Sequence, residues 1–452
     1  MTLSRLSVLL LPIALLVAAP PLSETYKEAA TQIMSAALVD RDGYAHLSYL
    51  CDRIGNRISG SESLNAAIVW AAAQMKRDGL ENVTTQPVKV PHWVRGREDA
   101  EMLKPVHHQL TMLGLGGSVA TPPDGITAEV VSVSSFDALE ALGRDKVAGK
   151  IVLFNVPYEG YGKTVVYRGS GASRAAKLGA VAMLIRSVGS LAMQTPHTGA
   201  LNYSEGDPRI PAAAITFEDA TLIQRLADAG ENVTVHLYME ARMLPDADSA
   251  NVMGEITGRE KPDEIVVMGG HIDSWDVGAG AQDDGSGIVA SLEAAAVIKK
   301  LGLRPRRTLR VVFWTNEENG GAGGRAYRDM VGGKIHDYVA AIEMDGGAEK
   351  PVGFGVTPGG AALARAQEIG RLLAPIGAGA VNAGGGGADI APLMRDGVPG
   401  LGLFTVEQHY FDWHHTRTDT VDKIDPQDFR QCIAAMAVMG YVLADMPERL
   451  GE

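Results

Sequence analysis

The chain has 452 residues, 46% of them hydrophobic and 21% charged, with a formal net charge of −13. That length allows two or three domains, and the balance is ordinary for a globular protein. With no basic stripe and no Lys/Arg cluster nucleic acid is excluded as a partner, and the acidic excess reads as solubility.

In chain order, the N-terminus offers Arg5, an apolar run from Leu6 to Val17, and small residues at Ala18 and Ala19. This is the pattern of a secretory signal, assigned to residues 1–22. The run is too short and poorly flanked for a span of ~20 residues, and no cysteine follows it directly. The mature protein is therefore expected to be exported, periplasmic or secreted, without a stable membrane anchor. Its two cysteines, Cys51 and Cys432, lie far apart in expected helices and read as buried free thiols. Too few are present for a cysteine-built zinc site. Asn82, Asn202 and Asn232 stand in glycosylation sequons.

The stretch SGSESLNAAIVWAAAQMKRDG has Ser59 three residues before Glu62, a capping-box spacing. Leu64, Ile68, Ala71 and Met75 then recur at helical intervals, and Gly79 stops the helix. An extended segment, VTTQPVKVPHW, follows. From about Glu101 the texture changes to short β-rich runs (AEVVSVSS, GKIVLFNVP, AVAMLIRS) with helical GASRAAKLG between the last two. From Asn251 strands and helices alternate again: DEIVVMGGHID, GIVASLEAAAVIKKLG, RTLRVVFWT, YVAAIEMDG. Such alternation predicts a largely parallel sheet with helices on both faces, whose ligands bind beyond the C-terminal strand ends. A final helix, DPQDFRQCIAAMAVMGYVLADM, offers Phe429, Ile433, Met436 and Leu443 on one face. The divisions expected are 23–105 and 248–452 for an α/β domain and 106–247 for a β-rich domain inserted in it.

Four strand-end loops carry the chemistry. GGHIDSWDVGAGAQDDGSG holds His271, Asp273, Asp276, Asp283 and Asp284; TNEENGG holds Glu317 and Glu318; IEMDGG holds Asp345; YFDWHHTRTDT holds His414 and His415. Any one of these has a bland reading, a helix cap or a solvated pair. Four on one edge of one sheet point to positive charge. Zn²⁺ takes imidazole and carboxylate ligands and leaves a position for water. A two-metal site needs a bridging carboxylate and terminal ligands on each side. Adjacent glutamates suit it, one on metal and one taking the proton of a metal-bound water. In NAGGGGADIAPLMRDG the glycines precede a helix whose N-terminus favours anions, with Asp389 expected as its cap. Trp275 and Tyr410 are expected to pack rather than line a pocket. There is no H-E-x-x-H, no G-x-S-x-G and no G-K-[ST], which disfavours single-zinc helix-type proteases, serine hydrolases and nucleotide-phosphate loops.

The set H-x-D, G-A-x-D-D-x-S-G, E-E-x-G, D-G and H-T-x-x-D-T resembles the cocatalytic di-zinc exopeptidases of the aminopeptidase-like family. HLSYLCDRIGNRISGS fits the same group, and HIDSWDVGAGAQDDGSG, NEENGGAGG and HHTRTDT most resemble a carboxypeptidase branch of it. The β-rich segment is similar to a protease-associated domain. The resemblance implies one zinc on His271, Asp283 and Asp345, and a second on Glu318, His415 and the other oxygen of bridging Asp283. It implies Glu317 as general base and then acid, Asp273 as the carboxylate orienting His271, and a cis bond between Asp283 and Asp284. His414 stands where several relatives place a tyrosine that steadies the oxyanion. Gly324 replaces a serine common in the aminopeptidase branch. Small peptides, dipeptides with free ends above all, are the implied substrates, and a homodimer the implied assembly. An aminopeptidase on longer peptides, a single-zinc glutaminyl cyclase and a non-catalytic binding protein are the alternatives.

Overall fold

The computed structural model describes residues 20–452, so the export signal read from residues 1–22 lies, but for its last three residues, outside the described residues. Among the described residues, no helix is long and apolar enough to cross a membrane. Two eight-stranded sheets organise the chain. The first comprises β1 (Glu81–Val94), β2 (Arg242–Ile256), β3 (Lys261–His271), β4 (Arg307–Trp314), β5 (Tyr338–Glu343), β6 (Pro351–Thr357), β7 (Ala380–Ala383) and β8 (Gly400–Thr405). Their order is β1-β2-β4-β3-β5-β8-β6-β7. The centre, β4-β3-β5-β8, is parallel, as alternating strands and helices require. The flanks are joined to it antiparallel, through β2 on one side and β6 on the other.

Helices cover both faces. On one face lie α1 (Glu62–Arg77), α2 (Ser286–Lys300) and α3 (Pro426–Asp445). All residues of α2 from Ser286 to Ile298 are buried, because α3 and the sheet enclose it. The same enclosure buries α3 on every side from Cys432 onward rather than on the single face expected from its sequence. A helix that is apolar all round is one surrounded by protein. Both cysteines are free and buried, and burial pushes each thiol up, Cys51 to about 12. The opposite face carries the helix Ala322–Val331, whose Tyr327 and Val331 pack with Trp314 and Val267.

The cap of α1 is Ser61 rather than the Ser59 that the spacing suggested. Ser61, in extended conformation, accepts from Leu64 N (3.1 Å), so Glu62 is the first helical residue and no capping box forms. Ser59 is instead buried, its Oγ accepting from Asn316 Nδ2 (2.9 Å) in the loop that carries the two glutamates.

The second sheet is built from residues 98–239. Its centre is also parallel: Ile126–Val133, Ile151–Phe154, Ala182–Arg186 and Ala212–Ile215. Antiparallel strands flank it on both sides. The two sheets meet at Trp93 and Trp275, whose rings lie edge to face at 6.5 Å.

Candidate metal centre

The parallel centre of the first sheet delivers four loops to one edge. β3 ends on His271 itself, and Asp284 in the following loop fastens it. Asp284 Oδ2 accepts from His271 N (3.1 Å) and Oδ1 from Gly287 N (3.0 Å), clamping the strand end to the start of α2. The approach is so close that a Cβ on Gly270 would stand 2.0 Å from Asp284 Oδ2, which is why that position has no side chain. The Asp283–Asp284 peptide is cis.

Asp283 lies at the middle of the cluster with its two oxygens facing opposite ways. Oδ1 is 3.1 Å from His271 Nε2, while Oδ2 is 3.1 Å from His415 Nε2 and 3.4 Å from His414 Nε2. His271 Nε2 also stands 3.4 Å from Asp345 Oδ1, and His415 Nε2 stands 3.0 Å from Glu318 Oε2. The residues therefore fall into two sets sharing Asp283: His271 with Asp345, and His415 with Glu318. Of the adjacent histidines, it is His415 that pairs with Glu318. Its backbone lies at φ 61, and its ring stacks on His414 at 3.6 Å.

The remaining expected residue, Asp273, divides its work differently from the expectation. Its carboxylate is 3.8 Å from His271 Nδ1, beyond hydrogen-bond range, and the imidazole is held by the Asp273 backbone carbonyl at 3.0 Å. The carboxylate accepts instead from the amides of Glu317 (3.0 Å) and Glu318 (3.3 Å). These amides turn toward Asp273, so its oxygens bond them in preference to the ring.

Burial dominates the electrostatics. It pushes Glu318 up to about 7, raises Asp345, and carries Glu317 well above the carboxylate range. Burial opposes ionisation of Asp283 too, but the hydrogen bond from His271 and the imidazole of His415 beside it bring it well below. Burial and the neighbouring His415 keep His414 neutral, its pKa well down. Asp283 Oδ2, Glu318 Oε1 and Asp345 Oδ1 are buried without a hydrogen-bond donor. Such atoms are costly unless a cation meets them, and a mixed imidazole and carboxylate set is what zinc takes. His271, Asp283 and Asp345 have donor atoms within 4.8 Å of one another, as do Asp283, His414 and His415.

Several residues that hold this centre were not singled out from the sequence. Asp419 accepts from Ala281 N (3.1 Å), Gln282 N (2.7 Å) and Asp283 N (3.2 Å), fixing the backbone under Asp283. Arg57, fully buried, donates to the carbonyls of Ile272 (2.8 Å), Ala279 (2.7 Å) and Gly280 (3.0 Å). The motifs H-T-x-x-D-T and GNRISGS contain both, but nothing in either motif assigns them this role. The second sheet contributes as well. Thr198 N donates to His415 O (2.9 Å), its carbonyl faces His415 Nδ1 (3.3 Å), and Arg168 Nη1 donates to that carbonyl (3.2 Å). His197 Nδ1 meets His414 O at 2.7 Å, and Tyr161 packs edge-on to His414 at 4.9 Å. No local signal could have shown these contacts.

Asp389 is not the cap expected. Both its carboxylate oxygens are buried without a partner, and the helix Ala391–Arg395 has no side-chain cap. Glu343, the last residue of β5, reaches those amides first, accepting from Ile390 N (2.9 Å) and Asp389 N (3.4 Å). Trp275 is 2% exposed and packs against Trp93 and His415, as expected; Tyr410 is buried beside His414.

With this geometry in place, comparison with known proteins defines the class. Residues 251–439 match Peptidase family M28 and residues 118–223 match the PA domain. The chain belongs to peptidase family M28 and is a metallopeptidase with an inserted PA domain. More particularly, it is similar along nearly its whole length to Carboxypeptidase Q. The Bos taurus protein is 47% identical over 407 residues, 90% of this chain and 86% of that one. The Homo sapiens protein is 46% identical with the same coverage. The crystal structure of a Peptidase M28 precursor from Shewanella amazonensis SB2B superposes with a TM-score of 0.92 at 34% identity, covering 94% of this chain and 98% of that one. An aminopeptidase from Aneurinibacillus sp. strain AM-1 shares the fold, with a TM-score of 0.67 at 21% identity over 93% and 97% of the two chains.

Proposed function

We propose that the protein is a di-zinc exopeptidase that hydrolyses dipeptides and short peptides with free ends. The observation that carries this reading is Asp283, whose two oxygens face imidazoles on opposite sides at 3.1 Å each. A carboxylate so placed would serve both ions. One zinc would be held by His271, Asp345 and Asp283, the other by Glu318, His415 and Asp283.

When bound, the two ions supply Lewis acidity to the scissile carbonyl and to water. The rest is done by side chains. Glu317, its amide fixed by Asp273, takes a proton from the attacking water and returns it to the leaving nitrogen as the C–N bond breaks. His414, kept neutral by burial, donates its one N–H to the carbonyl oxygen as charge develops there. Asp273 and Thr198 hold Glu317 and His415 in place from opposite sides of the centre.

The test uses zinc-loaded mature protein with metal content measured, on a free dipeptide and its N-acetylated form. Two zinc ions per chain and cleavage of the free form alone support the reading. Cleavage of both makes the protein a carboxypeptidase indifferent to the amino end. Cleavage of neither with both zinc ions bound overturns it. The homodimer implied by the resemblance is tested by light scattering on the same sample.

A further inference from the structure

Beside Glu317 the two sheets leave a cleft of about 310 Å³. That is the lower end of the range for ligand pockets, ~300 Å³, enough for one amino-acid residue. One wall is the end of β1 and the start of β2, with Trp93 and Met243, which are paired across the strands. The facing wall comes from the inserted domain, with Leu201 and Asn202. The floor is the loop of Glu317, Glu318 and Asn319. Trp93 and Leu201 are buried, while Met243 stands 48% exposed at the mouth.

We propose that this cleft is the subsite for the residue on the leaving-amine side of the scissile bond, and that it takes an uncharged, apolar side chain of leucine or methionine size. The assignment rests on the reading of Glu317 as proton carrier. The nitrogen that receives the proton must touch the Glu317 carboxylate, so the residue attached to that nitrogen lies where Glu317 forms the wall. The other residue of the substrate lies across the centre, toward Asp345 and His414.

The chemistry of the walls sets the preference. Trp93, Leu201 and Met243 offer apolar surface, worth roughly 25 cal/mol per Å² covered. The charged lining residues are Glu317 and Glu318, both carboxylates, so an acidic side chain meets like charge and finds no cation. A lysine side chain would be desolvated between Trp93 and Leu201 without a partner. The free carboxylate of a dipeptide has neutral donors instead. Asn319 Oδ1 is engaged by Asn316 Nδ2 (2.5 Å), leaving the Asn319 N–H₂ to donate elsewhere, and Asn202 lines the other wall.

The test compares kcat/KM of zinc-loaded protein on Ala-Leu, Ala-Met and Ala-Asp with Leu-Ala and Asp-Ala. Ala-Leu and Ala-Met are expected to exceed Ala-Asp by at least about tenfold, in the range that pocket contacts discriminate. Met243→Lys places a cation at the mouth without touching the metal centre. It is expected to raise the Ala-Asp to Ala-Leu ratio by about tenfold while leaving the Asp-Ala to Leu-Ala ratio unmoved. Met243→Leu should keep the wild-type pattern, and zinc content and circular dichroism confirm that each variant folds. If Met243→Lys leaves the first ratio unchanged, or moves only the second, the subsite assignment falls while the dipeptide reading stands. If zinc-loaded wild type cleaves none of the five, the dipeptide reading fails and the assignment falls with it.

Discussion

The two sheets of this molecule have nearly the same plan. Each has eight strands, a parallel centre and antiparallel flanks. They differ in the residues placed beyond the strand ends. The first sheet ends its central strands in His271, the loop of Glu317 and Glu318, Asp345, and the loop of His414 and His415. The second ends its central strands in Asn155, Ser187 and Thr216 and in segments that reach across to the first, with Tyr161 opening a helix and His197 and Thr198 in a loop. One edge brings the candidate ligands; the other brings carbonyls, amides and a ring that hold them. A parallel sheet makes a crevice beyond its strand ends, and what the crevice does depends on the side chains placed there.

That division can be broken from either side. The largest effect is expected from the first sheet: Glu318→Ala should abolish activity and lower zinc content below two per chain by elemental analysis, and a variant with full zinc would remove Glu318 from the ligand set. Glu317→Gln should keep its zinc yet lower kcat by about 10²–10⁴-fold, the usual worth of a proton-transfer group; unchanged turnover would end its proposed role. From the second sheet, Arg168→Ala frees the Thr198 carbonyl that faces His415. It should cost about 10–100-fold in zinc affinity or activity, as outer partners of metal ligands do. A chelator competition titration reads this directly, and an unchanged affinity would show that the inserted domain does not steady His415.

Smaller effects sharpen the comparison. Asp419→Ala leaves the amides of Ala281, Gln282 and Asp283 without their acceptor, at a cost of about 1–3 kcal/mol for an unsatisfied buried group. Melting followed in zinc-loaded and chelated samples should show a lower Tm in both, since the role of Asp419 is to hold backbone. Smallest of all, Ser61→Ala removes the cap of α1, about 1 kcal/mol, and should lower Tm by only a few degrees with kcat unchanged.

The four candidate loops were legible because each places charged side chains immediately beyond an apolar run or in a loop able to reach it, a pattern with few structural uses. The parallel centre of the first sheet was legible from the same alternation. Other features were less so, each for a physical reason. Asp389 follows glycines and precedes a helix, as caps do, but Glu343 from another strand reaches those amides first. Asp273 is two residues from His271, yet its carboxylate finds better donors in Glu317 and Glu318. Ser59 and Ser61 both suit a cap, and only the backbone conformation decides between them. The grip of Thr198 and His197 on the histidine pair joins residues more than two hundred positions apart, and no local pattern encodes such a contact.

Arg57 gives the centre a temporal order. Its guanidinium collects carbonyls from the loop after His271, while the amides of the next turn are collected by Asp419. One anchor is made early in synthesis and the other close to the end. A chain still emerging from the ribosome therefore carries its first ligands in a loop held from one side alone. Even a fragment cut just short of Asp419, with every candidate metal-binding side chain present, lacks the acceptor that fastens the backbone at Asp283.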